Sequence, residues 1–190
     1  MDFFEVVRKR RSVRSYLDED VSEEEVRRLL EAAILAPSAG NLQPWEFIVV
    51  RDKETKSKIR EIAESAKQEV ISADGPKWVK GYNMAFLEDA PVLIVVLVDP
   101  SRSGLGRYFG QRYGAIQAAS ACIQNMMLAS ADMGLGTLWF TFFRPEKLRP
   151  VLNIPQKLEI AGIVPLGIPE GEIKAPPRKE AKIYNNLYTD

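Results

Sequence analysis

The sequence predicts one mixed domain of helices and strands with a sizeable core, followed by an extended arm. Three observations carry this. The chain has 190 residues, 46% of them hydrophobic, which is enough to bury one core. Amphipathic helical stretches alternate with short aliphatic runs, and Val92–Val98 is apolar on both faces, as a central strand is. Beyond Pro165, the residues Gly167, Pro169, Gly171, Pro176 and Pro177 break any regular element and predict an arm. The expected division is a domain over 1–168 and an arm over 169–190.

Asp2 with Glu5 reads as a capping box for a short helix whose apolar side is Phe3, Phe4, Val6 and Val7. The basic run that follows suits the negative end of that helix's dipole. Ser22 with Glu25 is a second capping box. Val26, Leu29, Leu30, Ala33 and Ile34 continue it as a helix to about Ala36, and Pro37 stops it. Glu46–Val50 reads as a strand. Lys53 to about Ile71 is an amphipathic helix with Ile59, Ile62, Ala63, Ala66 and Val70 inward. Residues 72–82 form a loop carrying Trp78 and Tyr82. A short helix is expected over Asn83–Asp89, before the central strand. Gln111–Met133 is the longest helix and is apolar or small on nearly every side, so a second subunit is expected to cover one face. Gly134 and Gly136 end it. Thr137–Thr141 and Leu158–Leu166 read as strands, with a short helix over Pro145–Leu152 between them.

Composition removes whole classes of chemistry. There is no histidine, so Ser-His-Asp and Cys-His catalysis and histidine-ligated metal are excluded. Cys122 is the only cysteine; it reads as core filling and leaves no disulfide framework. The 26 basic and 26 acidic residues balance, which argues against a nucleic-acid partner. The longest aliphatic run is too short to span a bilayer, and the N-terminus lacks the apolar core of a signal peptide. A soluble, cytoplasmic protein with no membrane partner is expected.

Against that balanced background stands Arg8-Lys9-Arg10-Arg11-Ser12-Val13-Arg14. Five cations and a hydroxyl within seven residues suit a phosphate, because guanidinium forks match phosphate oxygens. Taken alone, such a run also fits a solvated surface patch. The polar loop Pro37-Ser38-Ala39-Gly40-Asn41-Leu42-Gln43-Pro44 offers many hydrogen-bonding groups between two rigid elements, as a ligand contact or as an ordinary turn.

With those stretches in view, the chain resembles the nitroreductase family of flavoenzymes. The markers are Arg10–Arg14, Ala36–Trp45, Glu88-Asp89-Ala90-Pro91, Gly134-Leu135-Gly136-Thr137, and Pro165-Leu166-Gly167 leading to Arg178. The resemblance implies an α+β fold with a mostly antiparallel sheet flanked by helices. It implies an intertwined homodimer whose C-terminal arm adds to the partner's sheet. It implies FMN as cofactor at the subunit interface, NAD(P)H as reductant, and small planar acceptors in a ping-pong cycle. No side chain is then required as nucleophile, because the flavin carries the hydride. By the same resemblance, Arg10 and Ser12, with Arg11 beside them, hold the phosphate and ribityl chain, and Arg14 reaches the pyrimidine edge. Pro37, Ser38, Ala39 and Asn41, with Gln43 close by, come from the other subunit. Asn83 contacts the ring, and Thr137, Leu138 and Trp139 line its dimethylbenzene side and N5 edge. Arg178, with Lys179 next to it, closes on the phosphate. Phe86 stands where some relatives carry a lysine, which leaves Arg14 as the cation for the ring. Trp78, Tyr82 and Phe86 are candidates for an aromatic wall. The same scaffold also serves reductive dehalogenation and flavin fragmentation, and a non-enzymatic flavin-binding protein is a further alternative.

Overall fold

A computed structural model describes residues 2–171 and 173–188 of the chain. Residue 1 of the expected domain, and residues 172, 189 and 190 of the expected arm, lie outside the described residues. Four strands form an antiparallel sheet: β1 (Trp45–Val50), β2 (Val92–Val98), β3 (Gly136–Thr137) and β4 (Glu159–Gly167), in the order β1-β2-β4-β3. The helices are α1 (Phe3–Lys9), α2 (Glu23–Ile34), α3 (Lys53–Ser72), α4 (Phe86–Asp89), α5 (Gly114–Asp132) and α6 (Pro145–Val151). The α+β architecture is as the sequence predicts.

The sheet separates two core layers, and β2 belongs to both. Val92, Ile94, Val96 and Val98 face a layer built with α2 and α5. Leu93, Val95 and Leu97 face the layer of Ile59, Ala63, Phe86 and Leu87 from α3 and α4. Because side chains alternate along a strand, a strand with both faces covered must be apolar throughout. All seven residues of β2 are buried. Ser22 and Glu25 exchange side-chain and backbone hydrogen bonds, so the second capping box is real.

Lys56 on α3 is the unusual member of the core. Its ammonium donates to the carbonyls of Glu88 (2.8 Å) and Ala90 (2.7 Å), which ties α3 to the end of α4. Those carbonyls belong to the last turn of α4 and the residue after it, where backbone acceptors lack helical partners.

Several boundaries differ from the sequence reading. The long helix starts at Gly114, because Leu105–Phe109 forms a 3-10 turn and Gly110, at φ 75°, reverses the chain before it. The short helix starts at Phe86 rather than Asn83; the Asn83 side chain accepts from the Ala85 amide (2.9 Å) in a local turn that precedes it. The expected strand over 137–141 shrinks to Gly136–Thr137, with Phe140 bridging to Ile163 alone. Gly134 ends α5 in the left-handed region at φ 77°. Gly136 serves packing instead: a Cβ there would lie 2.6 Å from Val13 Cγ2. On α1 only Val6 is buried, while Phe3 and Phe4 face outward.

The residues left open on α5 have a pattern. Gln117, Ala121, Gln124 and Leu128, two polar and two apolar, recur at intervals of four, three and four and remain partly or fully open, while the opposite side is buried. Phe3, Phe4, Leu35 and Phe109 are each at least 63% exposed. Ile173–Tyr188 has no regular structure and carries exposed Ile183, Leu187 and Tyr188.

Candidate functional site

The basic cluster leaves α1 and runs extended along β3. Val13 donates its amide to the carbonyl of Thr137 (3.0 Å), and Ser12 bridges Thr137 in parallel. This short pairing places two cavities at the two ends of one segment. Arg10 and Arg14 are four residues of extended chain apart, about 13 Å at most.

The first cavity, of about 350 Å³, is lined by Lys9, Arg10, Arg11, Met127, Ser130, Thr137 and Ile173 among others. It is strongly cationic. Burial lowers the pKa of the Arg10 guanidinium, and the charges of Arg178 and then Arg11 lower it further. Arg178 therefore comes from the arm to the same cluster as Arg10. Arg11 donates through Nη1 to the carbonyls of Arg8 and Arg10 (2.8 Å for the latter), yet its Nε is buried without a partner. Like charges gathered with a buried donor unsatisfied are costly unless an anion joins them. On its floor, Ser130 and Thr137 share a buried hydroxyl–hydroxyl hydrogen bond of 3.0 Å.

The second cavity, of about 420 Å³, is lined by Trp78, Tyr82, Leu138, Trp139, Phe140 and Phe142, with Arg14 as the single charged side chain among the described lining residues. Trp139 donates Nε1–H to the carbonyl of Ala161 (3.0 Å), which fixes its indole. The neighbouring Gly162 is required there, since a Cβ would lie 2.4 Å from that nitrogen. Arg14 donates through Nε to the Tyr82 hydroxyl (3.1 Å) and through Nη1 to the Ser12 carbonyl (3.3 Å).

Of the residues singled out in the sequence, Arg10, Arg11 and Thr137 line the first cavity, and Arg178 acts on Arg10 from the arm. Arg14, Leu138 and Trp139 line the second. Ser12 lies between them. Asn83 lines neither, and its side-chain oxygen is engaged by Ala85. Of the aromatic wall, Trp78 and Tyr82 line the second cavity while Phe86 is buried behind them. Ser130, Phe142 and Ile173 are additions. Only Phe142, within an aromatic pair after the strand signal, left a trace in the sequence.

The loop at 37–43 sits elsewhere. It forms a tight 3-10 turn over Ala39–Asn41, with Asn41 at φ 54° and Gln43 at φ 44°. The Ser38 hydroxyl accepts from the Gln43 amide (3.0 Å) and holds that turn. Non-glycine residues in the left-handed region carry strain, which concentrates at binding sites. Ala39 borders a cavity against Gly114 and Gln117, near the start of α5, whereas the cationic cavity touches Met127 and Ser130 near its end. At 1.5 Å per helical residue the two are about 15–25 Å apart along α5.

This geometry has close parallels. The model of the nitroreductase family matches residues 7–168. A protein of Archaeoglobus fulgidus named as an NADH dehydrogenase/NAD(P)H nitroreductase is 35% identical over 167 residues, covering 86% of this chain and 83% of its own. The pig iodotyrosine deiodinase 1 is 32% identical, covering 94% of this chain and 65% of its own. The crystal structure of an oxidized iodotyrosine deiodinase bound to FMN and 3-iodo-L-tyrosine superposes with a TM-score of 0.87 at 25% identity, covering 98% of this chain and all of that one. Among the described residues no helix is long and apolar enough to cross a membrane. An α+β sheet in this order, a cationic cavity at its edge and a family match over most of the length lead to one assignment: the chain belongs to the nitroreductase family.

Proposed function

We propose that this protein is an FMN-dependent oxidoreductase that passes electrons from NAD(P)H to neutral planar acceptors such as nitroaromatics or quinones. One observation carries the reading: a guanidinium cluster and an aromatic cavity lie at opposite ends of the Arg10–Arg14 segment. The unsatisfied buried Nε of Arg11 and the crowded charges of Arg10 and Arg178 fit a phosphate. The aromatic cavity, with one cation at its rim, fits a planar ring that gains negative charge.

Bound FMN would supply electron transfer in both directions, a chemistry no side chain here offers. The chain's residues bind and orient it. Arg10, Arg11 and Arg178 hold the phosphate, with Ser12 beside them. Arg14 sets a fixed positive charge beside the ring, and such a charge acts more strongly in a site shielded from water. Leu138 and Trp139 form an apolar floor that excludes solvent.

Pro37, Ser38, Ala39, Asn41 and Gln43 cannot reach the same site within one chain, given the length of α5. They complete it in a homodimer, each copy offering its loop to the other's flavin. The exposed Phe3, Phe4 and Leu35 provide apolar surface for that pairing, beside the mixed open stripe of α5. The arm wraps the partner in this arrangement. A cytoplasmic enzyme follows from the same reading.

The likeness to an iodotyrosine deiodinase supports a second reading, reductive dehalogenation of a halogenated phenol. The described lining of the aromatic cavity in one chain holds no carboxylate to pair with the ammonium group of an amino-acid substrate, which favours the first reading over an amino-acid dehalogenase.

The test is the absorbance spectrum of the purified protein, followed by anaerobic NADH or NADPH. A yellow dimer that bleaches, then regains colour with a nitroaromatic, meets the expectation. A colourless monomer that ignores added FMN overturns it. Recovery of colour with 3-iodotyrosine alone would favour dehalogenation.

A further inference from the structure

The second cavity contains a contact that binding of a ring does not by itself require. The Tyr82 hydroxyl accepts the Nε–H of Arg14 at 3.1 Å, and the Arg14 guanidinium carbon lies 5.6 Å from the centre of the Tyr82 ring. With the bond from Nη1 to the Ser12 carbonyl, this engages Nε and Nη1; Nη2 takes part in neither. A guanidinium held at two of its three nitrogens is planar and rigid, so the third points in a fixed direction. Without such a grip an exposed arginine samples many rotamers, and its field at any one point weakens.

Tyr82 is itself held. Its ring meets Trp78 edge-on at 5.8 Å and Phe86 at 6.2 Å, and Phe86 is fully buried. Its carbonyl accepts from the Lys67 ammonium at 2.8 Å, which anchors the segment to α3. The hydroxyl is thus fixed by packing on one side and by a helix on the other.

We infer that Tyr82 is a positioning residue: it clamps Arg14 so that the guanidinium faces the flavin's pyrimidine edge, and so raises the flavin's reduction potential. The inference rests on the FMN reading above. Reduced flavin carries more negative charge than oxidised flavin, so a fixed cation favours the reduced form. Loosening the cation lowers the potential and leaves the grip on the phosphate untouched. The aromatic wall that contacts the acceptor and the charge that tunes the flavin are then coupled through one side chain.

The experiment is the midpoint potential of FMN-loaded wild type, Tyr82→Phe, Arg14→Lys and the double variant, together with the Kd for oxidised FMN. Tyr82→Phe keeps the ring and its stacking and removes the hydroxyl alone. The expected result is a tenfold loss of preference for reduced over oxidised flavin, about 30 mV more negative for a two-electron couple, with the Kd for oxidised FMN unchanged. In the Arg14→Lys background the same tyrosine change has no further effect.

An unmoved potential in Tyr82→Phe overturns the inference. So does an equal shift in the Arg14→Lys background, which would mean that Tyr82 acts on the flavin directly. A wild-type protein that takes up no FMN removes the parent reading as well, and is told apart because no flavoprotein exists to titrate.

Discussion

Replacing Arg10 by Gln separates binding from stability. In the chain without ligand, Arg10 holds its charge while half-buried and against the charges of Arg178 and Arg11. Removing that charge relieves a penalty, so the unliganded variant is expected to melt at the wild-type temperature or above it. With FMN the sign reverses. Hydrogen bonds to charged groups contribute about 1.5–3 kcal/mol each, and 1.4 kcal/mol is tenfold. Loss of one such contact raises the Kd for FMN about 10- to 150-fold. At a ligand concentration 1,000 times the wild-type Kd, FMN stabilises the wild type by about 4.1 kcal/mol. A variant binding 100-fold more weakly gains only about 1.4 kcal/mol at the same concentration. The assay is thermal denaturation with and without FMN, with riboflavin as the phosphate-free control. Riboflavin should bind both proteins alike. A variant that loses stability equally in both states, with an unchanged FMN affinity, would show that Arg10 is a structural cation, and the phosphate assignment would fail.

Two further substitutions test the scaffold. Lys56→Met leaves the carbonyls of Glu88 and Ala90 without their buried donor, and unfolding in urea should show a loss of about 2–4 kcal/mol. Burial, aided by Lys53, lowers the Lys56 pKa from its ordinary 10.5, so the folded state holds this proton more weakly than the unfolded chain. The cost of the buried charge is therefore present at neutral pH. Wild-type stability should rise relative to the variant as pH climbs from the folded pKa toward 10.5, and an opposite slope would refute the assignment. Gly162→Ala drives a methyl group into the Trp139 indole and should cost about 1–3 kcal/mol; unchanged tryptophan fluorescence and stability would show that the indole is not held there.

Much of this protein is legible in its sequence because the decisive signals are local. A capping box needs only Ser22 and Glu25, three residues apart. A strand buried on both faces needs only the unbroken aliphatic run of β2. The absence of histidine excludes whole mechanisms without any coordinates. The density of cations over Arg8–Arg14 marks a basic cluster, though not by itself what that cluster binds.

What the sequence left open are the distances between segments. The strand expected over 137–141 is mostly absent, because after Thr137 the chain departs from β4 so that Leu138 and Trp139 can line a cavity. Asn83 turns its side-chain oxygen to the Ala85 amide in a local turn. The approach of Arg178 to Arg10 spans most of the chain length, and the grip of Tyr82 on Arg14 joins residues 68 positions apart. Propensity and periodicity act over a few residues, so they specify elements. The pairing of charges and hydroxyls across the molecule is set only when the two core layers close on β2, and that closure fixed which of the predicted residues meet.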